Sequence, residues 1–232
     1  VYTSFKQLVT AIQSNLAGVY KLAADMTADE VGLPENQTSY IKGEFTGTLV
    51  GTEGSKAYAI YDLKKPLFDI LKNATVKDLD LKNTQVDSKE NAAAVAKTAD
   101  NATISNVAVE GKVSGRKSVA GLVVDATNTR IENSSFSGKL IANHADNNAN
   151  YAGGIVGKLT GGNAKVDKSK VDVVISTAAR NNNQTAGGIV GKLENSALVT
   201  RSVTTGKILN GQGYPRVGGI VGSTYPRGRV DN

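Results

Sequence analysis

Tyrosine and arginine side chains recur together near the end of the chain, and these residue types are suited to contacting a partner. Tyr214 and Arg216 lie in one turn-like segment, and Tyr225, Arg227 and Arg229 lie in the next. Both types are enriched at the energetic centres of protein interfaces, although Tyr-Pro pairs are also typical of simple turns. These five residues are the candidate partner-binding set.

Residue sets for catalysis or metal binding are not recognisable. The chain has one histidine, His144, in a polar loop-like stretch, and it has no cysteine. A zinc peptidase needs two histidines one helical turn apart, with a glutamate as base. The Val-Gly-Lys phrases at 156–158 and 190–192 lack the spacing of a phosphate-binding loop, because only three residues separate Gly153 from Gly157. We therefore expect no catalytic residue, metal ligand or cofactor in this chain.

The net charge of +6 is unevenly distributed. Residues 151–232 carry 11 Lys or Arg against 4 Asp or Glu, whereas residues 1–150 carry 16 against 17. An anionic cell-wall polymer, a sialylated glycoprotein or a nucleic acid would suit this excess. Lysines scattered over solvent-facing strand positions explain it more simply, and we predict no nucleic-acid partner. No apolar run reaches the roughly 18 residues of a membrane span.

An internal repeat is the main signal for the fold. One glycine-rich phrase occurs four times, at 119–124, 151–156, 185–190 and 216–221. The residues before its first glycine are separated by 32, 34 and 31 positions: Ala120, Ala152, Ala186 and Val217. Each phrase is followed by a second run of alternating apolar and polar residues, which is typical of strands rather than helices. The sequence therefore predicts an all-β parallel solenoid, expected to be right-handed.

The repeat continues upstream in degraded form, which predicts five to six coils. Ile104 precedes Ile131 by 27 residues, and Val76 precedes Ile104 by 28. Where Asp78 stands in this pattern, the later coils carry Asn106 and Asn133, so the column is interpreted as a polar turn or asparagine ladder. A carbohydrate-degrading β-helix enzyme would instead cluster carboxylates on one face, and four lie near one another in sequence: Asp62, Asp69, Asp78 and Asp80.

Stacked repeats predict columns of identical side chains. We expect Val123, Ile155, Ile189 and Ile220 to form one core column, and Val124, Val156, Val190 and Val221 to form another. The paired glycines that precede the isoleucines should lie where a coil bends or where neighbouring backbones approach too closely for a side chain. In the first phrase Leu122 would take the place of the second glycine.

The N-terminal part differs from the repeats. Phe5, Leu8, Val9, Ile12 and Leu16 have helical spacing behind a Ser or Thr cap, which predicts an amphipathic helix that closes the first coil. The predicted organisation is one continuous domain, with a capping helix and first strands at 1–65 and the solenoid at 66–232. Because the chain starts at Val1 without a signal-like segment, we expect an excised part of a longer protein.

Several phrases resemble a known family. The segments 152–158, 186–192 and 217–222 are similar to GLUG repeats. The lead-in segments 43–51, 58–63, 66–68 and 73–81 resemble the N-terminal region of streptococcal immunoglobulin A-specific zinc metalloendopeptidases and their pneumococcal relatives. This resemblance covers the chain from about Leu16 onward.

The resemblance implies a large, cell-wall-attached or secreted bacterial protease whose zinc domain lies outside this chain. It implies zinc for that parent protein only. It also implies contacts with other domains of the protease and with a host glycoprotein such as immunoglobulin A. We expect this chain to be a non-catalytic scaffold or substrate-positioning exosite. A polysaccharide-degrading enzyme and an adhesin or stalk without a protease are the alternatives.

Overall fold

The computed structural model describes residues 1–143, 149–177, 184–210 and 216–231. Over these residues the chain is an all-β parallel solenoid of about six coils, with one short α-helix at the N-terminus. The predicted fold class is therefore confirmed, while the right-handed sense stays a prediction. His144 and Tyr214 lie outside the described residues.

The elements up to the first glycine-rich phrase are α1 (Phe5–Ser14), β1 (Val19–Lys21), β2 (Met26–Thr27), a 3₁₀ turn (Ala28–Glu30), β3 (Ile41–Phe45), β4 (Thr48–Val50), β5 (Thr52–Glu53), β6 (Lys56–Ala57), β7 (Ala59–Tyr61), β8 (Phe68–Lys72), β9 (Thr75–Ser88), β10 (Ala96–Asp100) and β11 (Thr103–Gly115). The remaining elements are β12 (Val119–Ala120), β13 (Val123–Thr127), β14 (Arg130–Glu132), β15 (Ser135–Ala142), β16 (Asn150–Gly153), β17 (Val156–Thr160), β18 (Lys165–Asp167), β19 (Lys170–Thr177), β20 (Gln184–Gly187), β21 (Val190–Glu194), β22 (Leu198–Thr200), β23 (Val203–Asn210), β24 (Arg216–Gly218), β25 (Val221–Tyr225) and β26 (Arg229–Asp231).

Successive coils place equivalent strands side by side in three parallel sheets. Among the described residues, the first sheet runs β1-β4-β9-β11-β14-β18-β22-β26, with β15, β19 and β23 continuing it around a corner. The second sheet runs β3-β8-β10-β13-β17-β21-β25, and the third runs β12-β16-β20-β24. Each coil that carries a glycine-rich phrase thus contributes strands to all three sheets, and stacking the coils buries a continuous apolar core.

The upstream alignment made from the degraded repeats is confirmed. Val76 pairs with Ile104, and Ile104 pairs with Ile131 in the first sheet. All three side chains are fully buried. The alternation of apolar and polar residues along these strands therefore sets their register, because a slip of one residue would turn the apolar side chains outward.

The predicted core columns are right for three coils but wrong by one residue in the first. Val123 pairs with Val156, not with Ile155, and the backbone of Leu122 donates a hydrogen bond to Ile155. The columns are therefore Leu122-Ile155-Ile189-Ile220 and Val123-Val156-Val190-Val221.

This shift has a steric cause in the glycines that precede the columns. Ala120 pairs with Gly153, so Gly121 stands opposite Gly154, the second glycine of the next phrase. A methyl group on Gly121 would lie 2.0 Å from the carbonyl oxygen of Gly154 and 2.6 Å from the ring of Phe136. The position that cannot accept a side chain therefore decides the register, and Leu122 takes the place of an isoleucine rather than of a glycine.

A left-handed corner recurs in five successive coils between the two parts of the first sheet. It is occupied in turn by Asp78, Asn106, Asn133, Lys168 and Arg201, with φ between 46° and 55°. Asn106 donates a side-chain hydrogen bond to Asp78 at 2.9 Å, which confirms the predicted polar ladder at this column. The ladder then ends, because Lys168 and Arg201 replace asparagine in the next two coils.

A buried serine follows the corner in the later coils and satisfies its backbone. The amide of Ser134 donates to the hydroxyl oxygen of Ser169 at 3.4 Å, and the amide of Ser169 donates to the hydroxyl oxygen of Ser202 at 3.1 Å. The three serines are almost fully buried. Because buried backbone groups must be paired, this serine column makes the turn possible inside the stack.

The N-terminal helix covers the first coil as predicted. Ser4 caps α1 by accepting from the amide of Gln7, and Phe5, Leu8 and Ile12 are buried. The ring of Phe5 meets Tyr40 edge to face at 5.0 Å. Because an open solenoid end exposes apolar surface, α1 protects the core there. The boundary at residue 65 stays a prediction, although β1 and β4 from the first segment join the ladder of β9.

No helix among the described residues is long and apolar enough to span a membrane.

Gly154 offers a direct test of the close approach between coils. A methyl group there would lie 2.1 Å from the carbonyl oxygen of Gly188 and 2.5 Å from a methyl of Val171. We expect Gly154→Ala to lower the free energy of unfolding by about 3 kcal/mol, because overpacking forces the backbone apart. Urea unfolding followed by far-UV circular dichroism measures the change.

The matched control is Gly162→Ala, since a methyl group on Gly162 meets no atom within 4 Å. We expect this change to leave stability within about 0.5 kcal/mol, with any effect favourable because the unfolded chain loses freedom. Equal losses from both substitutions would show that steric contact between coils does not set the register.

Lys168 tests the left-handed corner. Its φ is 48°, a region that asparagine visits more easily than lysine, and β-branched residues enter it least easily. We expect Lys168→Asn to raise the free energy of unfolding by about 0.5 kcal/mol and Lys168→Val to lower it by about 1 kcal/mol. The same urea titration measures both variants. Equal stability of the two variants, or a valine variant more stable than the asparagine variant, would contradict a left-handed corner at Lys168.

Candidate interaction surfaces

Three of the predicted partner-binding residues meet around the turn between β25 and β26. Tyr225 ends β25 and is 68% exposed. Arg227 occupies the turn with a φ of 61°. Arg229 begins β26 and donates to Asp231 at 2.8 Å. The turn therefore presents one aromatic ring and two guanidinium groups from the last described coil.

This turn rests on the coil before it. The amide of Asn195 donates to the carbonyl of Pro226 at 3.0 Å. Tyr225 pairs with Glu194, and a methyl group on Gly228 would approach the Leu193 carbonyl to 2.7 Å. Because these contacts hold the backbone of the turn in place, the exposed side chains start from fixed backbone positions.

The other two predicted residues do not join the turn. Arg216 is exposed at the start of β24 and pairs with Thr185 in the third sheet. Tyr214 is outside the described residues. The structure therefore places Arg216 on a different face of the solenoid from the turn that carries Tyr225, Arg227 and Arg229.

The carboxylates that could have suggested a polysaccharide-cleaving enzyme are engaged separately. Asp62 accepts from Thr27 at 3.0 Å and from Asn83. Asp69 lies on β8 in the second sheet and forms an ion pair with Lys97. Asp78 and Asp80 lie on β9 in the first sheet, where Asp78 accepts from Asn106 and Asp80 lies 3.7 Å from Lys82. The four are thus divided between faces and already have polar partners.

The residues of this chain do not fit a zinc centre. The whole sequence contains one histidine and no cysteine. Among the described residues, no group of three or more His, Cys, Asp or Glu side chains could hold a metal ion. Zinc sites in proteins are built from such groups, so no step of a zinc-dependent reaction can be assigned to residues described in this chain.

The two lysines of the Val-Gly-Lys phrases lie in one column. Lys158 pairs with Lys192 and, on its other side, with Asp125. Lys192 forms an ion pair with Glu194 at 2.8 Å and lies over the ring of Tyr151 at 5.6 Å. The hydrogen bond to Glu194 raises the pKa of Lys192, whereas burial raises the pKa of Asp125. These lysines therefore balance carboxylates on the second sheet and do not cradle a phosphate.

A buried carboxylate organises the cations at the corner of the first sheet. The side chain of Asp167 is 7% exposed. It accepts from Arg201 Nε at 2.8 Å, from Arg201 Nη2, and from Lys165 Nζ at 3.1 Å. The hydrogen bonds from Arg201 lower the pKa of Asp167, and the hydrogen bond from Lys165 helps them to outweigh the opposite effect of burial. Sequence reasoning missed this cluster, because Asp167 and Arg201 are 34 residues apart in the chain.

A cleft of about 750 Å³ lies between the 34–38 loop and the ends of β9 and β11. Its lining includes three carboxylates and three cations: Glu35, Asp87, Glu90, Lys65, Lys89 and Arg116. Lys89 and Glu35 approach to 3.7 Å. Since the two signs balance, the charge of this cleft favours neither an anionic nor a cationic ligand.

Comparisons with known proteins place the chain in a family. Residues 1–111 match the family described as the M26 IgA1-specific metallo-endopeptidase N-terminal region. The chain is 70% identical, over its whole length, to the zinc metalloprotease ZmpC of Streptococcus pneumoniae serotype 4. It is 46% identical, over 97% of its length, to the immunoglobulin A1 protease of Streptococcus sanguinis.

A solved structure shares the fold. The chain superimposes on an IgA1 protease with a TM-score of 0.89 at 40% identity, over 95% of this chain and 17% of that chain. The chain spans about 12% of the length of the two relatives above. On the family match, these identities and the shared solenoid, the chain belongs to the N-terminal region of the M26 IgA1-specific metallo-endopeptidase family.

Proposed function

We propose that this chain is a non-catalytic scaffold and substrate-positioning exosite of a bacterial zinc metalloprotease. The observation that carries the proposal is the exposed turn of Tyr225, Arg227 and Arg229, held on a solenoid whose similarity extends to immunoglobulin A1 proteases over 97% of the chain. The exosite comprises this turn, with Arg216 and Tyr214 as further candidate contacts.

A solenoid is suited to this task because its backbone is paired on both sides of every inner coil. Successive coils lie about 4.8 Å apart, so side chains on one face have a fixed spacing. Rigid positioning lowers the entropy lost on binding. A tyrosine and two arginines can then bind a folded partner without rearrangement of the backbone beneath them.

The parent protein would provide the chemistry. Relatives of this chain are named zinc metalloprotease and immunoglobulin A1 protease, so zinc would be held by a peptidase domain outside this chain. The proposed partners are that protease's other domains and a host glycoprotein such as immunoglobulin A. The proposed location is extracellular, either attached to the cell wall or secreted.

Two other functions are supported less well. A polysaccharide-degrading β-helix enzyme would need carboxylates gathered on one face, and Asp62, Asp69, Asp78 and Asp80 are divided between faces and paired. An adhesin or stalk without a protease would not require similarity to metalloproteases over nearly the whole chain.

Binding to human immunoglobulin A is the first test. We expect saturable binding of this chain by surface plasmon resonance, surviving moderate salt because an aromatic contact adds to the charge contacts. The double variant Tyr225→Ala/Arg227→Ala should bind about tenfold more weakly, which corresponds to about 0.7 kcal/mol from each of the two side chains.

The matched control is Val19→Ala/Lys21→Ala, which removes one exposed apolar side chain and one cation at the other end of the solenoid. It should retain wild-type affinity. No saturable binding at micromolar concentration, or equal losses in the two variants, would exclude the exosite and leave a spacer.

The same turn should affect substrate capture in the complete protease. We expect Tyr225→Ala/Arg227→Ala to raise KM for immunoglobulin A about tenfold with kcat unchanged, because uniform binding energy is removed and the reacting centre is not touched. Cleavage of a short peptide spanning the scissile bond should not change. A fall in kcat on both substrates would contradict an exosite role.

A further inference from the structure

Five cations form a ridge along the corner of the first sheet. They belong to three consecutive coils: Arg130, Lys165, Lys168, Lys170 and Arg201. Arg130 pairs with Lys165 in adjacent strands, and Lys168 and Arg201 occupy the left-handed corner itself. Glu132 and Asp167 are the acidic side chains between them, so this basic ridge has a net charge of +3 from five cations and two carboxylates.

The ridge is specific to these coils. In the coils before it, the position of Arg130 is taken by Thr75 and Thr103. The corner there carries Asp78 and Asn106, and the position of Lys170 is taken by Ala108, with Ser135 in the coil between them. The same fold is thus built upstream with neutral or acidic side chains, so stacking does not require the cations.

The backbone conformation of Lys168 and Arg201 also indicates that folding does not select these cations. Lys168 and Arg201 have φ values of 48° and 46°, where asparagine or glycine would cost less free energy. A charged residue held in an unfavourable backbone region points to a role at the surface. The ridge therefore carries charge where conformational preference alone would place asparagine.

Of the two acidic residues in the ridge, Asp167 is turned inward while cations around it face solvent. Asp167 is 7% exposed, whereas the side chain of Arg201 is 56% exposed. Lys168 and Lys170 are exposed as well. Asp167 holds Arg201 and Lys165 in place, so it orients the cations and adds little negative charge to the outer surface.

We propose that the basic ridge binds a linear acidic polysaccharide laid across successive coils. Cations repeating with the coil spacing of about 4.8 Å can follow a chain with regularly spaced negative groups. Hydroxyl groups beside the ridge, on Ser135 and Thr200, can bond to sugar hydroxyls. The ridge positions carry no aromatic side chain, whereas single-stranded nucleic acids are bound by stacking on aromatic rings.

The test compares two variants that remove two positive charges each. Lys168→Asn/Lys170→Ser converts the ridge to the residues of the preceding coil, Asn133 and Ser135, so folding should be retained. Lys21→Thr/Lys42→Thr removes two exposed lysines from the first coils. The probes are a sulfated heparin oligosaccharide, an oligogalacturonate that carries carboxylates, neutral dextran and a DNA duplex, each titrated calorimetrically at about 50 mM and 200 mM salt.

We expect at least one acidic oligosaccharide to bind and dextran not to bind. The ridge variant should lose about tenfold in affinity and show a weaker dependence on salt, because two ion contacts are removed. The lysine control should lose less than about twofold. The stronger of the two acidic sugars identifies sulfate or carboxylate as the preferred group.

Three outcomes would overturn the proposal. The first is no binding of either acidic oligosaccharide at 50 mM salt. The second is an equal loss of affinity in both variants, which would show that only net charge matters. The third is DNA binding as tight as that of the sugars, which would assign the ridge to polyanions in general. Circular dichroism spectra of the two variants confirm that each comparison concerns folded protein.

Discussion

The close approach of backbone to backbone between successive coils is the constraint on which the rest of this structure depends. At Gly121, Gly154 and Gly188 the next coil's carbonyl oxygen occupies the space that a side chain would need. Because this contact recurs in the coils that carry the glycine-rich phrase, the chain must return to the same path at each of these turns. The register of the other strands, and the columns of isoleucine and valine behind them, follow from that return.

The corner of the first sheet applies the same constraint in a different way. The five corner residues, of which Asp78 is the first and Arg201 the last, share a left-handed conformation. The serines that follow the later corners accept hydrogen bonds from neighbouring amides inside the core. Inward positions are therefore restricted to a few residue types. Outward positions are free to vary, because a side chain that faces water has little effect on the packing of the coils.

This division between a restricted interior and a variable surface explains how one fold could provide several surfaces. The cations of the second sheet are neutralised locally, as Lys192 is by Glu194. At the first-sheet corner they exceed the carboxylates, and at the last turn Tyr225 and Arg227 extend into solvent. The excess positive charge of residues 151–232 therefore belongs to particular surfaces and is not spread evenly over the solenoid.

The sequence by itself determined the fold class, the period and the capping helix, because repeated apolar patterns report directly on which side chains must be buried. It also identified the column of Asp78, Asn106 and Asn133, since spacing alone shows which residues stack. Only the tertiary structure decided the register of the first phrase, where a glycine contact overrode the simpler alignment of Val123 with Ile155. It also brought Asp167 to Arg201, 34 residues away, and separated Arg216 from the turn of Tyr225. Contacts between coils join residues whose side-chain directions depend on corner geometry, and a one-dimensional pattern does not contain that geometry.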